Sequence, residues 1–543
     1  MKKIFTLLLC CASLSVSAQY QLVNADFEQW ETISYKANML STYNGDEPVS
    51  WNSFLDGTGS LKSTAGRDQV DKISDDKRPG STGSYCAKIT ARSVLGVAIA
   101  QGNLTTGCVN MGSMTASDAS GNYNYTNISD GKCQTFTGKP DAMHVWVKFS
   151  GSNKAKANTI LHTAGYYQDP DGNTQEATLI AKAEEMNITS DANNWQELTI
   201  PFNYSVLDIR PAYALVSFST SNTPGEGSES DYMFIDDLEY IYNSSLSDLQ
   251  FNGTTIEGFA KDTYEYTIDD GYSDGCITFT KDCVGGTVYK GFEPSSNSYI
   301  ITVEGDDYSS NPSNTHTYTV KFTKVIINDG DDIEKVGHIS GGTVVLNRTF
   351  KAGWNTVCLP FPVTAARLST SVSVTTYTLS TPSGDAITFS KTTSNIAKNT
   401  PFLANFPSEV NSITFTSRTI NEDKTPLVKT CGDWTFTGSY EPSISMEGKW
   451  GVVNNGSKVR KGGAGSTLKS TRAYLEYNGT ANVNEMRIII DGEETTITEI
   501  DGMPVGNFDV YNLQGVRVRQ NVNSLDGLNK GIYIVNGKKH IVK

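Results

Sequence analysis

Basic charge, histidine, cysteine and long apolar runs are all scarce in this chain of 543 residues. Lys and Arg number 44 against 59 Asp and Glu, a net charge of −15. Phosphate recognition is built on clustered Lys and Arg, so this balance excludes a nucleic-acid binder. The five histidines, His144, His162, His316, His338 and His540, are dispersed and supply no ligand pair. Nine cysteines scattered over such a length are no disulfide scaffold, and none has the CxxC or Cys/His spacing of a zinc site. Cys276 with Cys283, and Cys358 with Cys431, could form pairs; the alternative is that most are buried as small apolar residues. Beyond the N-terminus no stretch approaches 18 apolar residues, so no transmembrane helix is expected.

What is present is turn and strand material. Glycine alone accounts for 48 residues, and aromatics for 10%. Runs such as "MHVWVKF" from Met143, "TYEYTI" from Thr263 and "YIITVEG" from Tyr299 alternate with Gly/Asn/Asp/Ser turns. Period-two alternation suits sheets with one face on a core and one in water. Strand groups at this spacing predict an all-β, multidomain protein of sandwiches or barrels. No fixed-period repeat supports a solenoid.

The first 18 residues read as a leader: Lys2 and Lys3, an apolar run from Ile4 to Leu14, then Val16-Ser17-Ala18, with cleavage expected before Gln19. Losing the two lysines takes the charge from −15 to −17. The mature chain is expected to be secreted or held at the cell surface. Polar breaks at about Asn243–Ser247, Ile326–Val336 and Glu494–Pro504 divide it. The expected units are 19–243, 244–325, 337–495 and 504–543, and "INDGDDIEK" from Ile327 has the charge and glycine of a linker.

The first unit carries, in order, "VNADFEQWE" (Val23 to Glu31), "EPVSWNSF" (Glu47 to Phe54), "GSTGSYCAKI" (Gly80 to Ile89), "AIAQGNLTTG" (Ala98 to Gly107), "KPDAMHVWVKF" (Lys139 to Phe149) and "DYMFIDDLEY" (Asp231 to Tyr240). This order resembles the putative carbohydrate metabolism domain (PCMD) of secreted Bacteroidetes proteins. More loosely, it is similar to the galactose-binding-type jelly rolls of many carbohydrate-binding modules. The resemblance spans some 220 residues and implies an N-terminal jelly-roll β-sandwich, followed by smaller β-sandwich modules, with glycan or polysaccharide as partner.

Two features of this unit bear on chemistry. In a jelly roll the opening and closing strands are neighbours, which would bring Glu28 near Asp236 or Asp237. Alternation sends one of the two aspartates to each face. An ionised carboxylate turned towards a sandwich interior is costly unless paired or bound to a cation. A structural Ca²⁺ held by Glu28, Asp236 or Asp237 and loop carbonyls would resolve the conflict, as in related modules; an exposed acidic strand end is the alternative. The second feature is aromatic supply, since sugars pair an apolar C–H face with a ring of hydroxyls. The expected carbohydrate-binding residues are His144, Trp146 and Lys148, which share one strand face, with Tyr123, Tyr166 and Tyr167. Tyr125 and Trp51 are further candidates, although Trp30 and Trp51 flank packing motifs and suit the core better. "QDPDGNTQE" (Gln168 to Glu176) superficially resembles a calcium loop, but it lacks the glycine at the sixth position and Ile180 stands where a bidentate Glu belongs, so a hairpin turn is expected.

Residues 244–325 resemble cadherin-like or Ig-like spacer modules through Phe259, Tyr264, Tyr266 and the closing strand Tyr318–Phe322. The 337–495 unit looks like a β-rich module of secreted Bacteroides and Prevotella proteins, with Trp354, Cys358 and Pro360 in structural roles. The tail from Phe508 is similar to sorting domains of the type IX secretion pathway, on Tyr511, Gly515 and Lys530-Gly531-Ile532-Tyr533. That likeness implies contact with export machinery; a small closing β unit is the alternative.

No G-x-S-x-G, HExxH or Ser/His/Asp grouping appears, and no short motif singles out the carboxylate pair a glycoside hydrolase needs. The reading is a secreted or surface carbohydrate-binding protein. A glycoside hydrolase with its carboxylates far apart in sequence, and a structural or adhesive surface protein, are the alternatives.

Overall fold

The computed structural model describes residues 19–542 apart from 37–40, 171–177, 366–367, 370, 382–386, 454–457, 480–487, 492, 496–498, 501–502 and 505–506. The expected leader at 1–18, most of the expected turn after Pro170 and part of the break at 494–504 lie outside the described residues. The protein is a multidomain all-β chain, with helix confined to short pieces such as Lys62–Ala65. Among the described residues no helix is long and apolar enough to cross a membrane. The cysteines from Cys86 to Cys431 are all unpaired thiols, most of them buried, so of the two readings the small apolar one holds and neither possible pair forms.

The first unit is a sandwich of two five-stranded antiparallel sheets. One runs in the order Gln196–Pro201, Ala142–Ser150, Tyr232–Ile241, Cys86–Thr90, Val70–Ile73; the other Asn203–Tyr204, Leu179–Ile188, Ala155–His162, Tyr213–Ser219, Asn103–Thr105. Alternation explains the layering. Met143, Val145, Val147 and Phe149 point inward and are fully buried, leaving His144, Trp146 and Lys148 on the outer face. Each buried side chain of this size contributes about 1.5–3 kcal/mol, set against the entropy of ordering it. Phe27, Trp51 and Phe218 form the aromatic centre, with ring centroids 5.1 and 6.2 Å apart. Trp51 is thus core, and Trp30 packs against it.

A third sheet, Tyr166–Asp169, Asn122–Asn127 and Cys108–Met111, lies over the outer face of the second sheet like a roof. The contact layer is polar. Asn103 Nδ2 donates to Asn124 Oδ1 at 2.8 Å, Asn124 Nδ2 donates to Ser217 Oγ at 2.8 Å, and the Thr126 hydroxyl meets His162 Nε2 at 2.9 Å. Asn158 Nδ2 donates to Asp169 Oδ2 at 3.0 Å. Buried polar groups must be matched in this way or they destabilise the fold.

Beyond the first unit, separate apolar clusters form around Leu249, Tyr266 and Tyr318, around Phe350, Phe361 and Phe415, and around Phe436 and Trp450. A small four-stranded sheet over Phe508, Val510 and Val535 follows them. Phe259 and Tyr264 pack on the first of these clusters, and Trp354 on the third. The strand Thr315–Asn328 joins two clusters: Tyr318, Val320 and Phe322 lie in one, Val325 and Ile327 in the next. It pairs in parallel with Ile339–Asn347, carrying one six-stranded sheet across the stretch that reads as a linker. Ile333 and Val336, within that stretch, are buried. Its charged residues face water while its apolar ones anchor it, an alternation that composition alone does not distinguish from a tether.

Candidate functional site

The predicted metal ligands are otherwise engaged. Both Glu28 carboxylate oxygens accept the Ser84 N–H at 2.8 Å, and Oε1 also takes the Tyr85 N–H at 2.9 Å. Gly83 admits this close approach, for a Cβ there would sit 2.3 Å from Glu28 Oε1. A register shift opposite His144 and Trp146 marks a β-bulge, where Asp237 adopts φ 44°. The bulge breaks the expected alternation. Leu238 returns to the core, while both Asp236 and Asp237 meet Arg78, whose backbone N–H donates to Asp236 and whose guanidinium pairs with Asp237. Asp236 is 1% exposed, its Oδ2 accepting the Arg78 N–H and its Oδ1 without a hydrogen-bond partner among the described residues, while Arg78 brings a positive charge beside both aspartates. Among the described residues no three His, Cys, Asp or Glu side chains gather to hold a metal, so Glu28, Asp236 and Asp237 are not brought together as a ligand set.

The outer face of Ala142–Ser150 is also filled by the protein itself. His144 sits between Glu197 at 3.0 Å and Glu239 at 3.4 Å. Arg78 caps the Trp146 ring at 5.5 Å. Lys148 is buried, paired with Asp76 and 4.5 Å above the Phe234 ring. The expected alternation holds, yet the resulting face is closed by Glu197 and Glu239 on the two neighbouring strands and by Asp76 and Arg78 from a distant loop. Tyr167 is only 2% exposed and stacks on His162 at 4.7 Å, so it has no face to offer a ligand.

The roof gathers the remaining candidates. In "NYNYTN" (Asn122–Asn127), Asn124 turns towards the sandwich and Asn122 is held by the Ser113 and Thr115 carbonyls, while Tyr123 and Tyr125 turn away from it. Tyr166, 47% exposed, joins them from the neighbouring strand. The ring centroids of Tyr123 and Tyr125 are 5.6 Å apart, and those of Tyr125 and Tyr166 are 5.5 Å apart. The planes are inclined by 68° and 39°, giving a stepped row. Register places Asn110 beside Tyr123, Gln168 beside Tyr125 and Asn127 beside Tyr166. The Thr58 hydroxyl lies 3.2 Å from that of Tyr125. Rings flanked by carboxamides and hydroxyls match a ligand with apolar C–H faces and many hydroxyls. Asn110, Thr58 and Gln168 escaped the sequence reading. For Gln168 the signal was its i+2 spacing from Tyr166; Thr58 comes from a distant loop and gave none.

Carboxyls able to act as acids near neutrality lie elsewhere. Burial and the neighbouring Asp56 push Glu47 up to about 7, despite Lys132 at 3.0 Å. Lys132 also meets Asp56 at 3.2 Å, Glu31 at 3.3 Å and the Trp51 carbonyl at 2.9 Å. Glu47 is 0% exposed, sealed from any substrate. Burial likewise raises Asp236 and Asp141 to about 6. Asp236 is buried beside Arg78, and Asp141 accepts the Asn243 and Val284 N–H groups, both at 2.7 Å. All three serve the frame.

No family model and no curated protein matches the chain. Several solved structures are similar over about two-fifths of it. A putative glycoside hydrolase from Bacteroides thetaiotaomicron is 16% identical, with 40% of this chain and 70% of that one covered and a TM-score of 0.30. A carbohydrate-binding module, TmCBM61, solved with β-1,4-galactotriose, is 13% identical, with 41% and 97% covered and a TM-score of 0.18. The K1 cleaved adhesin domain of Lys-gingipain from Porphyromonas gingivalis is 12% identical, with 38% and 96% covered and a TM-score of 0.18. Likenesses this distant leave the functional argument to the site's own geometry.

Proposed function

We propose that this is a carbohydrate-binding protein whose first unit takes glycan on the row Tyr123–Tyr125–Tyr166. The observation that carries the reading is that row itself: three tyrosines on one outward sheet face, spaced by 5.6 and 5.5 Å and bordered by Asn110, Asn127 and Gln168. Each ring offers an apolar surface to a sugar face, and the amides and hydroxyls match its equatorial groups. The leader-like residues 1–18 support export, and the following β units project the binding surface; the cationic tail is the element offered to export machinery.

The test is a glycan-array screen of the full chain, followed by titration of hits with wild type and Tyr125→Ala. Saturable binding that weakens at least tenfold in the variant, about 1.4 kcal/mol, is expected. Binding unchanged in the variant sinks the site, and a clean negative on folded protein favours the adhesive alternative. Product analysis on each hit belongs to the same experiment, because released sugar would redirect the search to a hydrolytic carboxylate pair.

A further inference from the structure

A second concave surface lies far along the chain from the tyrosine row, where Thr315–Asn328 crosses over to Ile339–Asn347. This cleft encloses about 570 Å³, within the range of small-ligand sites. One wall is aromatic. Tyr272 lies flat on Phe292, with centroids 4.1 Å apart and planes 4° apart, and leans on Tyr299 at 5.7 Å. A ring held this way has little freedom left to lose on binding. Beside it, the Tyr272 hydroxyl donates to Asp274 Oδ1 at 3.0 Å.

The other wall is the crossover. The Asn328 N–H donates to Asp331 Oδ2 at 2.6 Å, and Asp332 accepts the Glu334 N–H at 3.2 Å and pairs with Lys335 at 3.3 Å. Those bonds orient the carboxylates and leave Asp274 Oδ2 and Asp331 Oδ1 to accept from a ligand. Carboxylate oxygens are acceptors only, suited to hydroxyl donors. Three aspartates against Lys335 make the lining net negative, which disfavours uronate or sulfate groups.

We infer that this cleft is a second glycan-binding site, taking a segment free of negative charge. The inference rests on the carbohydrate-binding reading of the first unit, and it makes the chain bivalent. A polysaccharide long enough to reach both sites gains by effective concentration, with no new contact needed.

The experiment uses the full chain and calorimetric titration with neutral tetrasaccharides (cello-, xylo-, galacto-, manno- and chito-oligosaccharides) and tetragalacturonate. A row-deficient variant, Tyr125→Ala with Tyr166→Ala, isolates the cleft. The expected result is residual binding to a neutral tetrasaccharide. That binding should fall at least tenfold when Ser273→Trp fills the cleft or Asp274→Asn removes its charge, with melting curves confirming that both fold. No binding of tetragalacturonate is expected. On the matching polysaccharide, Ser273→Trp in the otherwise wild-type chain should lower apparent affinity on the order of 10²-fold. Residual binding indifferent to both substitutions overturns the cleft, as does a row-deficient variant that binds nothing while wild type binds. Wild type binding no sugar overturns both this inference and the function proposed for the row.

Discussion

His162 is the residue on which the roof is most exposed to pH. It is fully buried between Tyr167 and Tyr213, with the Thr126 hydroxyl on Nε2, and burial lowers its pKa from 6.5 to about 4. The unfolded chain therefore takes up a proton below about pH 6.5 that the folded chain refuses until about pH 4. Stability from this group is complete above pH 6.5 and is lost as pH falls through that window, by about 3 kcal/mol in all. Glu47, raised to about 7, has the opposite sign, losing its contribution as pH rises from 4.5 to 7. Denaturant titrations at pH 4, 5, 6 and 7 should show a shallower acid-side loss in His162→Gln than in wild type; parallel curves would refute the assignment. Because Arg78 supplies the charge beside Asp236 and Asp237, EDTA should leave the melting temperature unchanged, which calorimetry checks directly. These residues also mark how far the sequence could be read. Alternation was enough to set His144, Trp146 and Lys148 on one face, although the expected binding set holds both Tyr166 and Tyr167, neighbours in a strand that point to opposite sides. It failed at Asp237, where one extra residue in the strand reverses the face, and it could not name Arg78, which arrives from a loop 158 residues away from Asp236.

At the scale of elements, the roof decides what the second sheet can do. Asn103, Ser217 and Asn158 would line an open sheet face; beneath the roof they are hydrogen-bonded partners, and the rings on its far side become the outer surface. Asn124→Ala removes the shared member of that layer, strands Asn103 and leaves Ser217 only the Thr105 hydroxyl at 3.4 Å. A loss of about 1–3 kcal/mol is expected. Hydrogen exchange should show the excess opening in Cys108–Met111 and Asn122–Asn127 before the sandwich core. Uniform opening of both layers would instead make roof and sandwich one cooperative unit. Strand existence was legible along most of this region. The covering of one sheet by another was not, because polar inward residues read like solvent-facing ones until their partners are known.

For the whole molecule, the junction after the first unit is a bonded seam. Arg210 meets Asp306 Oδ2 at 2.9 Å, the Lys139 N–H donates to the same oxygen at 2.8 Å, and Asn314 Nδ2 donates to the Tyr242 carbonyl at 2.8 Å. Asp306→Ala should cost about 2 kcal/mol, chiefly by stranding the Lys139 N–H. The loss should appear as faster exchange around Asn243–Leu246 with the sandwich core unaffected. The residues that close this junction come from three separated loops and left no local signature in the sequence.

The shared strand Thr315–Asn328 has a mechanical consequence. It leads through the crossover into its parallel neighbour Ile339–Asn347, so tension applied at the two chain ends pulls these strands in opposite directions along their length. Their five paired positions, from Lys324↔Thr343 to Asn328↔Asn347, are then loaded together in shear, with none peeled open ahead of the rest. In a chain tethered at one end and gripping a surface at the other, this junction would resist by bonds that must break together.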